Sequence, residues 1–202
     1  MKNIWVDVDT QNTFASEDGN LSVANAEANA EILRIISEIK GEPLIGSVDA
    51  HSYDSLEFVE NGGPFPPHAV KGTHDQLKIP GTLPEKFRMV PPTYNGENLV
   101  KECLGGVGIY FEKDLHGVFD NPLFAPFVKD LVKQMDDEVT FRLFGYCTGQ
   151  SPDGGYYYCV GAMAKGLALK GYSVEIITSA TVPLGDLEGS VKALEKLGVR
   201  FV

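Results

Sequence analysis

The feature of this chain that most constrains its fold is a regular alternation of short β-branched segments with longer amphipathic segments. Six apolar segments have the length and composition of buried strands, and they are residues 4–8, 44–48, 107–111, 139–144, 173–178 and 199–202. Four segments repeat apolar residues at helical spacing, and they are residues 24–40, 122–135, 158–170 and 186–197. Strands that alternate with helices predict an α/β fold, a doubly wound three-layer αβα sandwich around a mainly parallel six-stranded sheet.

Composition limits the partners that we expect for the chain. The formal net charge of −11 at pH 7 disfavours binding to nucleic acid or to an anionic membrane surface. No apolar run is long enough for a membrane-spanning helix, and the apolar run at the N-terminus contains aspartates, unlike a signal peptide. Three cysteines without the spacing of a disulfide framework favour a reducing compartment. We therefore expect a cytoplasmic protein with a single domain over residues 1–202.

Chemically capable side chains follow the predicted strands. In a parallel sheet the ligand site lies beyond the carboxyl ends of the strands. That rule places one set of residues at the same edge of the sheet, and they are Asp9, Asp49, His51, Glu112, Lys113, Cys147 and Cys159. The connection over residues 50–106 is long and rich in proline and glycine, and loops of this kind inside a compact domain are usually functional. We expect this connection to contribute to the site.

Asp49 and His51 have a spacing that suits two ligands of one metal ion. The next candidate ligands follow within the same loop, and they are Glu57, Glu60 and His68. One or two carboxylates with two imidazoles suit zinc, iron or manganese. The alternative for His51 is a loop histidine bonded to the backbone. His74 and His116 lack such neighbours and are interpreted as surface residues or as residues lying behind the site.

Of the three cysteines, Cys159 has the position that favours reactivity. The helix after the fourth predicted strand begins near Tyr158 or Cys159, and the N-terminus of a helix stabilises a thiolate. Cys147 lies in the predicted loop before that helix, where its backbone N–H could face the same point. Cys103 precedes a Gly-Gly pair and is expected to be structural. The alternative for Cys159 is a buried core cysteine.

Asp9 and Lys113 each allow a structural and a catalytic interpretation. Asp9 is either a turn or helix-capping residue after the first strand, or an acid–base group. Lys113 is either a solvated surface lysine or, beside a thiol, a cation that depresses the pKa of that thiol. Position alone leaves both alternatives open.

Several motifs resemble those of the isochorismatase-like cysteine hydrolases, and within them the nicotinamidases. The stretch DTQNTF at residues 9–14 is similar to D-x-Q-N-D-F, and Asp49-Ala50-His51 is similar to the metal motif D-x-H. Phe65-Pro66-Pro67-His68 is similar to an aromatic-P-P-H segment, and Lys113 falls where the family has a lysine at the end of a strand. Cys159-Val160 begins a C-V-x-x-x-A segment and falls at the position of the nucleophile. The resemblance covers nearly the whole chain.

The resemblance implies a metal-containing cysteine amidohydrolase that converts nicotinamide to nicotinate and ammonia through a thioester on Cys159. It implies that Asp9 is the acid–base group, that Lys113 holds Asp9, and that backbone N–H groups of Cys147 and Cys159 bind the oxyanion. It also implies a cis peptide bond between Tyr146 and Cys147. The implied substrate-binding residues are Phe14, Phe65, Gln11 and Tyr146, with the two phenylalanines packing on a flat heteroaromatic amide.

We expect one divalent transition metal, with zinc as the first candidate and iron or manganese as the alternatives. The implied ligands are Asp49, His51, Glu57 and His68, with Glu60 as a substitute for Glu57. A homo-oligomer is also implied. The chain departs from the family in having Glu57 where nicotinamidases often have a histidine, and in an apparent insertion, GQSPDGGYYY, at residues 149–158. The insertion leaves two alternatives open: an amidase for another small amide, such as a ureido or carbamoyl compound, or a catalytically inactive metal-binding relative.

Overall fold

The computed structural model describes residues 2–202 and contains a seven-stranded sheet in which every pair of neighbouring strands is parallel. The strands are β1 (Lys2–Val8), β2 (Leu44–Asp49), β3 (Phe87–Val90), β4 (Gly108–Lys113), β5 (Val139–Thr148), β6 (Ser173–Pro183) and β7 (Arg200–Phe201). Their order across the sheet is β3-β4-β2-β1-β5-β6-β7. The first strand of the chain therefore lies in the middle of the sheet, between β2 and β5.

Helices cover both faces of this sheet. They are α1 (Asn12–Ala15), α2 (Ala26–Glu38), α3 (Leu99–Leu104), α4 (Phe124–Met135), α5 (Cys159–Leu169) and α6 (Leu187–Glu195). One buried apolar cluster joins the sheet to α3, α4, α5 and α6, and a second joins it to α1 and α2. The predicted three-layer α/β sandwich is confirmed. Within residues 2–202, none of these helices has the length and hydropathy that crossing a bilayer requires.

The structure has one strand more than the six that the sequence predicts. The additional strand, β3, and helix α3 both lie in the segment 50–106, which was expected to be irregular. Only Val90 is fully buried in β3, so this edge strand lacks the apolar run of the central strands. Helix α2 begins at Ala26, two residues later than predicted, because the Asn25 side chain accepts a hydrogen bond from the Ala28 N–H.

Strand β5 also extends further than predicted, to Thr148, because its end continues to pair with β6 after an irregularity in the register. The pairing of β5 with β1 sets Gly145 beside Val8. Gly145 has a φ of +120°, and a Cβ at this position would lie 2.0 Å from the Val8 carbonyl oxygen. Only glycine therefore permits the two strands to approach where the site begins.

The side chain of Gln11 connects the segment after β1 to the end of β2. Its Oε1 accepts a hydrogen bond of 2.7 Å from the Asp49 N–H, and its Nε2 donates one of 2.8 Å to the Asp49 carbonyl oxygen. Strand pairing then aligns Asp49 with Lys113 at the end of β4. These contacts hold the ends of β1, β2 and β4 side by side.

Candidate active site

The ends of β1, β2 and β4 meet the N-terminus of α5 around one ammonium group. The Lys113 Nζ lies 3.1 Å from Asp9 Oδ2 and 3.5 Å from Cys159 Sγ, and it also contacts Asp49 Oδ1. One carboxylate oxygen from each aspartate and the Cys159 sulfur lie within 4.8 Å of one another. The structure thus brings Asp9, Lys113 and Cys159 together, and their catalytic roles stay a prediction.

Asp9 is held by both its backbone and its side chain. Its φ of 51° lies in the left-handed region, and the Ser47 hydroxyl donates a 2.8 Å hydrogen bond to its Oδ1. Its Oδ2, although near Lys113, accepts no well-aligned hydrogen bond from residues 2–202. Burial raises the pKa of Asp9 and outweighs the opposing effect of Lys113. A fixed carboxylate with one available oxygen and a raised pKa is suited to exchange a proton with a neighbouring thiol.

Cys159 is the first residue of α5, so its predicted position at the start of a helix is confirmed. Enclosure of the sulfur by protein raises the pKa of Cys159 well above its ordinary value. The Lys113 ammonium opposes this increase, whereas the negative charges of Asp9 and Asp49 add to it. Lys113 lowers the pKa of the thiol, as expected, but burial is the larger effect, so the net shift is upward. A raised pKa favours the protonated form of this thiol.

The other two cysteines lie in different surroundings. Cys147 belongs to β5 and not to a loop, and it is buried. The peptide bond between Tyr146 and Cys147 is cis, as the resemblance implied. Burial raises the pKa of Cys147, and the nearby carboxylates raise it further. Cys103 is buried in α3, where burial raises its pKa to about 12, which is consistent with a structural residue.

Asp49, His51 and His68 form a buried cluster that could hold a metal ion. The Asp49 Oδ2 lies 3.8 Å from His51 Nε2 and 4.0 Å from His68 Nε2. The His51 Nε2 is buried and has no hydrogen-bond partner among the described residues. A buried nitrogen without a partner, facing a carboxylate and a second imidazole, fits a divalent transition metal.

Each imidazole of this cluster is oriented through its other nitrogen. The His51 Nδ1 lies 3.1 Å from Asp114 Oδ1 and 3.2 Å from Ser55 Oγ. The His68 Nδ1 lies 2.9 Å from the Pro66 carbonyl oxygen. Histidines that bind metals commonly have such a partner on the nitrogen that does not bind. Both Nε2 atoms are therefore placed for ligation.

The charges of the cluster favour an ionised Asp49. Burial alone would raise the pKa of Asp49, but the Lys113 ammonium and the His51 imidazole hold it well below its usual range. Burial alone would lower the pKa of Lys113, but Asp49 and Asp9 raise it well above its ordinary value. Burial lowers the pKa of His68, whereas the pKa of His51 is raised because Asp49 outweighs its burial. Asp49 thus offers a charged oxygen to a cation.

The two glutamates predicted as further ligands do not join this cluster. The Glu57 carboxylate contacts the Nδ1 of His116, and Glu60 is exposed in a short 3-10 turn at Val59–Asn61. His116 was expected at the surface or behind the site, but its side chain is only 18% exposed and lines a cavity beside Cys159. Its place three residues beyond Lys113, after a strand end, was the available signal in the sequence.

The cavity beside Cys159 contains about 320 Å³ of space free of protein atoms, part of it open to solvent. Its lining residues are Phe14, Leu21, Asp49, Glu57, Phe65, His68, His116, Cys147, Tyr158, Cys159 and Leu184. Phe14 and Phe65 are thus placed where a ligand could contact them. Gln11 and Tyr146 are not among the lining residues, because Gln11 binds the Asp49 backbone and the Tyr146 hydroxyl contacts Asn29.

The segment at residues 149–158, which the resemblance identifies as an insertion, forms part of the cavity wall through Tyr158. It folds into a compact turn in which Gln150 pairs with Tyr157 and the Ser151 N–H donates a 2.9 Å hydrogen bond to the Tyr156 carbonyl oxygen. The turn sets the rings of Tyr156 and Tyr158 against His116, with centroid distances of 4.5 and 6.2 Å. Tyr158 was not recognised from the sequence as a residue of the site.

Comparison with known proteins shows which solved structures share this fold. No family model and no curated protein matches the sequence. Pyrazinamidase of Pyrococcus horikoshii in complex with zinc is 22% identical, with a TM-score of 0.71 over 100% of this chain and 99% of that one. Nicotinamidase/pyrazinamidase PncA from Bacillus subtilis is 20% identical, with a TM-score of 0.65 over 100% of both chains. An isochorismatase-like hydrolase from Alkaliphilus metalliredigens is 19% identical, with a TM-score of 0.62 over 100% of this chain and 94% of that one.

These matches confirm, at the level of the fold, the resemblance that the motifs indicated. Over its full length, the chain has the fold of nicotinamidases, pyrazinamidases and isochorismatase-like hydrolases.

Proposed function

We propose that this chain is a metal-containing amidohydrolase that hydrolyses nicotinamide to nicotinate and ammonia. The observation that carries the proposal is the position of Cys159, beside both Asp9 and Lys113, in a cavity that also adjoins the Asp49 cluster. Structures with the same fold are named as nicotinamidase and pyrazinamidase. Because a fold alone does not determine a substrate, the choice of a heteroaromatic amide rests on the aromatic walls and the metal cluster.

In the proposed reaction, Asp9 accepts the proton of the Cys159 thiol as the sulfur attacks the carboxamide carbon. Asp9 then gives this proton to the amide nitrogen, the carbon–nitrogen bond breaks, and ammonia leaves a thioester on Cys159. Water attacks the thioester with Asp9 as the base, which releases the carboxylic acid and restores the thiol. A thiol with a raised pKa needs such a base within contact distance, and Asp9 is the carboxylate that offers it an available oxygen.

The start of α5 supplies positive potential where the oxyanion develops. Cys159 is the first residue of the helix, so its backbone N–H has no partner within the helix. We assign the second oxyanion contact to the backbone N–H of Cys147. Lys113 keeps Asp9 in place through the 3.1 Å ion pair. When the proton moves from the sulfur to Asp9, the ammonium stabilises the negative charge on whichever of the two groups carries it.

Asp49, His51 and His68 would hold the metal, and we propose zinc ahead of iron or manganese because nitrogen and carboxylate ligands of this kind suit zinc. A bound metal would supply Lewis acidity toward a ring nitrogen of the substrate. Phe14 and Phe65 would enclose the flat ring and orient its carboxamide toward Cys159.

The test is ammonia release from nicotinamide, with and without a chelator, by the wild type, Cys159→Ala and the control variant Cys103→Ala. We expect activity in the wild type and the control, and loss of activity with chelator or in Cys159→Ala. Activity only toward ureido or carbamoyl compounds would support the alternative of a different small amide. A metal-loaded wild type that releases ammonia from no amide would refute the proposal and favour an inactive metal-binding relative.

A further inference from the structure

A second buried ion pair lies outside the candidate active site, and the proposed reaction does not use it. The Lys78 Nζ lies 2.8 Å from Asp7 Oδ2, and both side chains are at most 1% exposed. Neither residue lines the cavity beside Cys159. Because apolar side chains of similar size often stabilise a protein as well as a buried ion pair does, stability alone does not explain this pair.

The sheet makes room for the pair and encloses it. Asp7, Gly46 and Tyr110 are register partners in β1, β2 and β4, so they form one row across the sheet. A Cβ at Gly46 would lie 2.2 Å from the Asp7 carbonyl oxygen and 2.8 Å from the Tyr110 ring. Glycine therefore lets the tyrosine ring lie across β2. The Tyr110 hydroxyl donates a 3.4 Å hydrogen bond to Asp7 Oδ2, and the Lys78 Nζ lies 4.6 Å from the centroid of the ring.

Both members of the pair bind the same hydroxyl group, that of Thr10. The Lys78 Nζ donates a 2.5 Å hydrogen bond to Thr10 Oγ1, and this hydroxyl donates one of 2.8 Å to Asp7 Oδ1. Hydrogen bonds to charged groups are stronger than those between neutral groups. The Thr10 carbonyl oxygen also accepts a 3.0 Å hydrogen bond from the Ile79 N–H. The side chain and the backbone of Thr10, which is fully buried, are thus both fixed to the segment that carries Lys78.

Thr10 directly follows Asp9, whose backbone has an unfavourable conformation. The φ of 51° at Asp9 lies in the left-handed region, which residues other than glycine adopt uncommonly. Such a conformation persists where the surrounding structure fixes it. On one side, the Asp9 N–H donates a 3.1 Å hydrogen bond to the Ser47 carbonyl oxygen. On the other side lies Thr10, so the direction of the Asp9 carboxylate depends on the contacts that hold Thr10.

We propose that Thr10, held between Asp7 and Lys78, is a positioning residue that keeps the Asp9 carboxylate beside Cys159. The inference rests on the proposed function, in which Asp9 exchanges a proton with the thiol, and extends it to residues that do not line the cavity. Because misplacing a catalytic group by about 1 Å can lower a rate about 100-fold, loosening Thr10 should lower kcat. It should leave KM unchanged, since Thr10 belongs neither to the metal cluster nor to the cavity wall.

The test compares Thr10→Val, which removes the hydroxyl group and keeps the shape of the side chain, with Thr10→Ser, which keeps the hydroxyl group. For nicotinamide hydrolysis by zinc-loaded protein, we expect Thr10→Val to lower kcat about 10–100-fold with KM within about twofold of the wild type. Thr10→Ser should retain most of kcat. The control is Thr140→Val, because Thr140 is 3% exposed and lies beside Asn3 near the opposite end of β1. Full kcat in Thr10→Val, or equal losses in its valine and serine variants, would overturn the inference.

A double variant, Asp7→Leu with Lys78→Met, separates positioning from stability. Replacing both members of a buried ion pair by apolar residues of similar size is often neutral for stability, so this variant should unfold at a urea concentration near that of the wild type. Its Thr10 hydroxyl has lost both charged partners, so kcat should fall as it does in Thr10→Val. A folded double variant with the kcat of the wild type would contradict the proposed role of Thr10.

Amide hydrogen exchange tests the positioning of Asp9 without turnover. The N–H groups of Asp9 and Ile79 should exchange about tenfold faster in Thr10→Val than in Thr10→Ser, because the loop and the end of β1 open more readily without the hydroxyl group. Equal exchange rates in the two variants would overturn the inference. A wild type that releases no ammonia would refute the proposed function, and the exchange rates would still decide whether Thr10 fixes Asp9.

Discussion

Replacing Lys113 by methionine should lower the free energy of unfolding by about 3–5 kcal/mol, because it removes the cation that neutralises two buried carboxylates. The side chains of Lys113 and Asp9 are at most 1% exposed, and their charged atoms are 3.1 Å apart. Coulomb's law with an effective dielectric constant of about 20 gives about 5 kcal/mol for unit charges at that distance. The lost contact with Asp49 increases the loss of stability. The loss is reduced because the variant no longer has to remove water from a buried ammonium group. Methionine has a similar length, so the cavity that it leaves is small.

The assay is urea unfolding of chelator-treated protein near neutral pH, where no metal compensates Asp49. Lys71→Met is the matched control, because Lys71 is 52% exposed and its 3.3 Å pair with Glu112 should contribute about 0–1 kcal/mol. In the wild type, the lowered pKa of Asp49 preserves its stabilising charge until the pH falls far below the ordinary carboxyl range. Without the ammonium, the buried carboxyl groups have a higher pKa in the folded than in the unfolded protein. Protonation therefore favours the folded state, and the loss in free energy of unfolding caused by Lys113→Met should shrink as the pH falls toward about 5. A loss at neutral pH no larger than that of the control would refute this reasoning.

Alkylation, metal binding and strand packing give three further expected outcomes. In metal-free protein, the rate at which iodoacetamide modifies Cys159 should still rise with pH above about 8.5, because burial raises its pKa despite Lys113; a plateau at lower pH in peptide mass spectrometry would contradict this. His51→Ala should lower the zinc content of the purified protein, measured by inductively coupled plasma mass spectrometry. Equal zinc content in the variant and the wild type would exclude His51 as a ligand. Gly145→Ala should destabilise the protein by more than about 1–3 kcal/mol, because left-handed backbone strain adds to a Cβ placed 2.0 Å from the Val8 oxygen; urea unfolding that shows no loss would mean that the strands can separate locally.

Those strands that follow a strong local pattern could be predicted from the sequence. Buried parallel strands have continuous apolar runs in their sequence. Such runs are present in β1, β2, β4, β5 and β6. β3 could not be predicted, because a four-residue edge strand with one fully buried residue has no such run. The end of β5 was also missed, since Gly145 interrupts the apolar pattern while residues beyond it still pair with β6.

The candidate site was predictable where it depends on strand ends and unpredictable where it depends on loops. Asp49 and Lys113 follow from the rule for parallel sheets, and strand pairing then sets them side by side. The position of His116 depends on two non-periodic loops that meet only in the folded chain, so its lack of sequence neighbours was misleading. The raised pKa of Cys159 was missed for a different reason: the sequence places a cation beside the sulfur but does not show that burial outweighs the effect of that cation.

The central position of β1 has a consequence for how the protein acquires activity. Asp9 and Cys159 are 150 positions apart (159 − 9), and they meet because β1 pairs directly with β5, whereas Asp49, His51 and His68 come from one short stretch of chain. Closing the longer loop is the entropically costlier event and the slower one. During refolding, uptake of a metal ion should therefore precede the return of hydrolysis. The interval between the two events would measure how long β5 takes to pair with β1.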